Sequence, residues 1–583
     1  MTRKADAVAS TGANPAAMPG SRLHLVRSDD IIDSERDIVF DVGIQLEQGR
    51  TFAVPVPDPY PDDASLEEAR KNVTDLVNAS TDDWAHRLND RHNRTWSADF
   101  WRMLILPWQC EMIQRVHARW IALEKIAASA PAAGSIQVRT LVGINRWPFD
   151  CLQSFQTSLI RDPTFNWWID STLLAAMADP AFVCEETEWD TATPLPLPVA
   201  RSAPIGRGRR LKLRLGHTDI IGTRFGGLLL ALYANLLPRR GGSRPMQPAV
   251  EGGWEERFAP RMLEALNVIL MATVPRTYWE DFEKLEAVGE TFRYRTGRLR
   301  VGTIDYWNDQ EKIVAAFARE AGEKFVIAQH GGFYGQMRYN VLATEGEYRY
   351  GRFFTWGFDV HDDYDSQLVA VPSPYLTRFS DRHSGKGDGL ILVGDPIRFG
   401  ITRIAPKPRN AQWLSYCDDT VQYLDRIDPA PRTDTLFRPY VNTATDITDE
   451  YVAARFPEIG RVTGDLHTRM LGCRLLTLCS PNTTMIVAMA ANVPMVAFWR
   501  PEFFSLSATA LPYFNRLRDV GILHDSPLAA AAKTNERWEN PDEWWRHPDR
   551  QAARHEWVNR FARTHRFWWV WWMKELWRAA REN

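Results

Sequence analysis

From residue 299 onward, short apolar runs alternate with amphipathic stretches, and this rhythm constrains the fold more than any other feature. Residues 299–305, 325–329 and 353–357 read as strands, with a helix over 308–320. A second series opens at 389–394. It continues with a helix over 411–427, strands at 435–439 and 475–479, a short helix at 483–491 and a final strand at 494–499. Strands separated by whole helices pair in parallel, with helices on both faces of the sheet. Two such series meeting near residue 385 predict an α/β chain of two Rossmann-like halves with a cleft between them.

Upstream, 22–42 holds two apolar runs that suit first strands, and 65–128 has helical spacing in which Pro107 should kink or restart the helix. A strand is expected at 136–142, followed by a tryptophan-rich helical stretch. The expected organisation is a disordered tail over 1–20, an amino-terminal Rossmann-like half with helical insertions over 21–388, a second half over 389–526, and a helical tail over 527–583. No internal repeat is visible.

The bulk numbers exclude several function classes. A chain of 583 residues exceeds one core. Lys+Arg 70 against Asp+Glu 73 gives no basic field for nucleic acid. Six cysteines without a CxxC pair or metal-ligand spacing fit free thiols in a reducing compartment. Residues 1–20 lack the apolar segment of a secretory signal, and no window is long and apolar enough to span a bilayer. A cytoplasmic protein is expected.

Four segments could carry chemistry. The apolar run 325–328 stops at Gln329-His330-Gly331-Gly332, where a strand should turn into a tight loop. Ligands of open α/β folds bind at the carboxyl ends of strands. A histidine there can act as acid or base, and the glycines let backbone approach a ligand. Tyr334, Arg338, Glu345 and Glu347 follow closely; the two carboxylates either supply an acid and a base or belong to a solvated loop.

The second segment is Cys479-Ser480-Pro481-Asn482-Thr483-Thr484, between a strand and a helix. It reads either as a phosphate site at a helix start or as an ordinary N-cap. The third is Arg438-Pro439-Tyr440, a phosphate or carboxylate clamp or a surface ion pair. Asp305 and Asp395 are weaker candidates with a structural bias. The fourth is the tail, where much of the chain's complement of 24 tryptophans gathers among arginines and Lys574. It either packs across the two halves or lies at a membrane surface, with basic residues toward anionic lipid.

Together these segments resemble a family of bacterial transferases encoded in surface-polysaccharide and O-antigen loci. The carriers are Gln329–Gly332, Glu345/Glu347, Thr355-Trp356-Gly357, Asn482–Thr484, Asn492 to Trp499 and Pro512 to Asp525. Leu88-Asn89, His92, Phe100-Trp101-Arg102 and Pro107-Trp108 match the family's opening motif. The family is similar in layout to GT-B glycosyltransferases, including those that use CMP-Kdo. The resemblance implies transfer of a sugar from a nucleotide-activated donor to a surface glycan or its lipid-linked precursor, with no obligatory metal or other cofactor. By that likeness His330, Glu345 and Glu347 are the catalytic candidates. Gln329, Gly331, Gly332, Arg438, Ser480, Asn482, Thr483 and Thr484 would contact substrate or nucleotide. Two departures stand out: Val487 occupies the place expected for a ribose-gripping glutamate, and Phe358 follows the Thr-Trp-Gly turn where a tryptophan was expected. A phospho-group transfer from a CDP-linked donor and a non-catalytic envelope scaffold are the competing readings.

Overall fold

The computed structural model describes residues 20–25, 32–40, 56–198, 205–216, 226–239, 241–242, 250, 252–362, 367–394, 404, 408, 412–439 and 447–582. Residues 1–19, Asp395 and Tyr440 lie outside them.

Fourteen described strands form three sheets, and every strand pair within them is parallel. The first contains β1 (Ser21–His24), β2 (Ile38–Val39), β3 (Ile136–Val142) and β4 (Phe182–Glu188), in the order β2-β1-β3-β4. The second runs β5 (Leu299–Gly302), β6 (Lys324–Ala328), β7 (Gly351–Thr355) and β8 (Leu368–Ala370) in sequence order. The amino-terminal half therefore holds two small sheets instead of one.

The third sheet contains β9 (Leu390–Val393), β10 (Thr435–Arg438), β11 (Gly460–Arg461), β12 (Leu475–Leu478), β13 (Met495–Phe498) and β14 (Leu523–His524). Its order is β11-β10-β9-β12-β13-β14. Counted within the sheet this is 3-2-1-4-5-6, the doubly wound dinucleotide-fold order, whose direction reverses between β9 and β12. The expected final strand at 494–499 is followed by one more, β14.

Long helices join the first two sheets. The helix Ala98–Ala128 runs unbroken through Pro107, so the expected restart is absent. An internal proline costs a helix roughly 3 kcal/mol. Here the helix is buried almost all round from Asp99 to Trp120, and packing of that surface outweighs the local defect. Its charges are paired inside the core: Arg119 lies 3.1 Å from Asp170, and Asp99 lies 2.9 Å from Arg319.

The tail is helical as expected. The helix Pro548–Phe561 packs into the second half's core through Trp557, Val558 and Phe561. The helix Trp568–Arg581 crosses back to the second sheet, where Trp572, Leu576, Ala579 and Ala580 pack with Val301, Val326, Ala328 and Phe354. Among the described residues, no helix is long and apolar enough to cross a membrane.

Candidate functional site

At the carboxyl end of β6 the chain leaves the sheet through Gln329. Its backbone N–H donates to Phe354 O (2.9 Å), its Oε1 accepts from Trp356 N–H (2.7 Å), and its Nε2 donates to Gly331 O (2.9 Å). A buried glutamine with both ends of its amide so engaged holds the loop's shape, and His330 leaves the sheet at a fixed place.

His330 keeps 39% of its side chain exposed, and its Nδ1 sits 3.5 Å from Glu347 Oε1. Tyr334 donates its hydroxyl to Glu347 Oε2 at 2.6 Å and packs edge-on against the imidazole. Glu347 is almost wholly buried, and that burial pushes its carboxyl above the ordinary value against the opposing pull of His330 and Tyr334. Burial and the Glu347 charge push the Tyr334 hydroxyl up in turn, so it stays a donor. Both carboxylates sit in a five-residue π-helical turn, Ala343–Glu347. At Gly346 in this turn, an added Cβ would stand 2.5 Å from the Tyr306 hydroxyl.

Glu345 takes a different environment. Its Oε2 accepts from Asn78 Nδ2 at 3.1 Å, its Oε1 accepts from Arg349 at 3.1 Å, and Asn78 Oδ1 accepts from Arg102. The solvated-loop reading fails for both glutamates, which are buried. The pair nevertheless splits: Glu347 faces His330, and Glu345 belongs to an ion pair under the long helices.

The other side of the site is the start of the helix Thr483–Ala491, after β12 at the switch point of the third sheet. Gly332 N–H donates to Thr483 Oγ1 at 2.8 Å, and a Cβ at Gly332 would stand 2.6 Å from Thr483 N. Gly331 lies beside the same hydroxyl, with its Cβ position 3.7 Å away. The carboxyl edges of the second and third sheets thus meet at these residues.

Asn482 caps the helix: its Oδ1 accepts from Thr484 N–H at 2.8 Å and Met485 N–H at 3.4 Å, while its Nδ2 donates to Ser480 Oγ at 3.0 Å. Ser480 and Thr484 are buried. The helix carries no charged residue, and Val487 lies wholly within the core. Among the described residues, no group of acidic, histidine and cysteine side chains is arranged to hold a metal ion.

Arg438, at the carboxyl end of β10, donates from Nη1 to Val462 O (2.9 Å) and Gly464 O (3.1 Å). Beside this turn stand two residues that no sequence pattern singled out. The Tyr375 hydroxyl is hydrogen-bonded to His467 Nδ1 at 2.7 Å, and burial pulls the His467 imidazole below its ordinary value. Tyr375 stacks on Trp356, the residue clamped by Gln329. A continuous aromatic and imidazole line therefore links the His330 loop to the Arg438 side of the third sheet. Tyr375 and His467 are 92 residues apart and in no motif, so no local signal marks them.

No curated protein matches the sequence. A family model described as LIC12162 family transferase matches residues 47–200 and 229–576, most of the chain and every site residue above. The chain belongs to the LIC12162 family of transferases.

Proposed function

We propose that this transferase moves a sugar from a nucleotide-activated donor to a surface glycan or its lipid-linked precursor, in a GT-B-like arrangement. The observation that carries the reading is the apposition of His330 and Glu347, on the carboxyl edge of β6, with the switch point of a 3-2-1-4-5-6 sheet. Nucleotides bind at such switch points. On this reading the donor's nucleotide lies along the third sheet near Ser480 and Arg438, and the acceptor approaches from the His330 side. The imidazole takes the proton of the attacking hydroxyl, and the Glu347 carboxylate supports the imidazolium that forms. Arg438 and the start of the 483–491 helix offset charge developing on the leaving phosphate.

A second reading has its own support. The N–H groups at the helix start are already engaged by Asn482, and Val487 leaves no carboxylate for a ribose. That favours a scaffold that keeps the fold without the chemistry.

A thermal-shift screen against CMP, CDP, UDP, GDP, dTDP and their sugar conjugates separates the two, because a ligand that binds the folded state raises its melting temperature. Selective stabilisation by one nucleotide supports the transferase reading and gives the donor class. His330→Ala should then keep the nucleotide shift and lose transfer by about 10²–10⁴-fold. Product analysis tells sugar transfer from transfer of a phospho group, which leaves phosphorus in the product. Silence across the panel favours the scaffold.

A further inference from the structure

The helix Trp568–Arg581 has two faces of different chemistry. Trp572, Leu576, Ala579 and Ala580 are buried against the second sheet, and the Trp572 indole donates to Pro372 O at 3.0 Å. Phe567, Trp569, Val570, Trp571 and Trp577 remain 39–48% exposed, and of these Val570, Trp571 and Trp577 lie on the side of the helix away from the buried stripe. Five large apolar residues exposed within eleven positions exceed the scattered apolar surface of ordinary soluble proteins.

Cations interleave them. Lys574, Arg578 and Arg581 are exposed on the outward side, with the Arg581 guanidinium 3.8 Å from the Trp577 ring centroid. Arg566 lies over Phe567 at 4.4 Å. A second helix, Gly226–Leu236, packs in the same core cluster through Leu230 and Ala234. It exposes Leu229, Leu232 and Leu236, spaced three and four residues apart along one stripe.

We infer that these two helices form a docking face for an anionic lipid surface, with tryptophan at headgroup depth and Lys574 and Arg581 on lipid phosphates. The mixture of residues decides the occupant. A second copy meeting this face through a two-fold axis would set the same cations against each other. Anionic lipid complements those cations and accepts amphipathic indoles at its interface. The inference stands on this face alone and holds whatever group the enzyme transfers.

The test is co-sedimentation of the full chain with vesicles of phosphatidylcholine alone or mixed with phosphatidylglycerol. Substitutions are confined to outward residues, because deleting the helix would strip the second sheet of its cover. Binding is expected to the phosphatidylglycerol vesicles and to weaken as salt rises. Trp571→Ser/Trp577→Ser and Lys574→Glu/Arg581→Glu should each weaken it by about tenfold or more, with melting temperatures like the parent's. Absence of sedimentation with either vesicle overturns the inference, as does undiminished binding by both variants. Self-association that disappears in Trp571→Ser/Trp577→Ser would also overturn it, making the face a contact between copies.

Discussion

Glu347 is held out of water beside one hydroxyl and one imidazole, and its raised carboxyl value has a consequence for stability. A carboxyl that binds its proton more tightly folded than unfolded favours folding below the unfolded value and loses that contribution as pH rises through the folded value. Near neutrality, well above the unfolded value, this carboxyl therefore costs stability. Glu347→Gln should raise the melting temperature near neutrality by on the order of 1–3 °C, with the gain shrinking toward acid pH, while transfer falls. A melting temperature that drops at neutral pH would count against a strained carboxylate. Gly332 makes the opposite trade. A methyl group there meets backbone, at 2.6 Å from Thr483 N and 2.8 Å from Asn482 C, and no rotamer change can relieve it. Gly332→Ala should part the loop from the helix and weaken nucleotide stabilisation in the thermal-shift assay; an unchanged nucleotide shift would remove this contact from the site.

At the scale of elements, the helix Ala98–Ala128 shows what burial does to a titrating group. His117 lies in its buried stretch with its Nδ1 2.7 Å from the Tyr60 hydroxyl, and burial pulls the imidazole down to about 4. The unfolded chain takes up this proton from about pH 6.5 downward and the folded chain does not. Stability is thus complete above the unfolded value and is lost as pH falls toward 4, by about 3 kcal/mol in all. His117→Gln should flatten that acid limb in urea titrations between about pH 7 and about pH 4.5. A limb as steep as the parent's would place the acid sensitivity elsewhere.

Periodicity reached much of this architecture. The strand at 136–142 and the helix at 483–491 have the expected limits, because the strand alternates apolar and polar residues, the helix is largely apolar, and both are bounded by turn residues. The strand β4, Phe-Val-Cys-Glu-Glu-Thr-Glu, escaped notice because it is an exposed edge strand and carries no buried alternation to read. The site was legible in part. A strand stopping at Gln329-His330 is local information. The separation of Glu345 from Glu347 is not, since it depends on helices folded from residues 63–128.

For the whole molecule, the two halves are joined by more than the covalent chain. Met337 pairs with Leu506, Arg338 N–H donates to Ser505 O, Ser507 Oγ donates to Gly335 O, and Asp362 accepts from the N–H groups of Ala508 and Thr509. Met337 itself is part of the second half's core. Halves that share core residues should unfold together, so calorimetry should record one transition for the described body. Two well-separated transitions would mean that the junction opens on its own, and the Gly332–Thr483 contact would then be one state among several.

The return of the 568–581 helix to the second sheet also sets an order of events during synthesis. Trp572 seats on Pro372, made 200 residues earlier. At ~5–20 residues per second, roughly 10–40 s pass between the two leaving the peptidyl-transferase centre. Throughout that interval the sheet around Val301, Val326 and Phe354 waits without its lid. A nascent chain stalled between residues 372 and 568 would present that surface bare to chaperones and proteases, so the 568–581 helix acts as a late seal on a sheet made long before it.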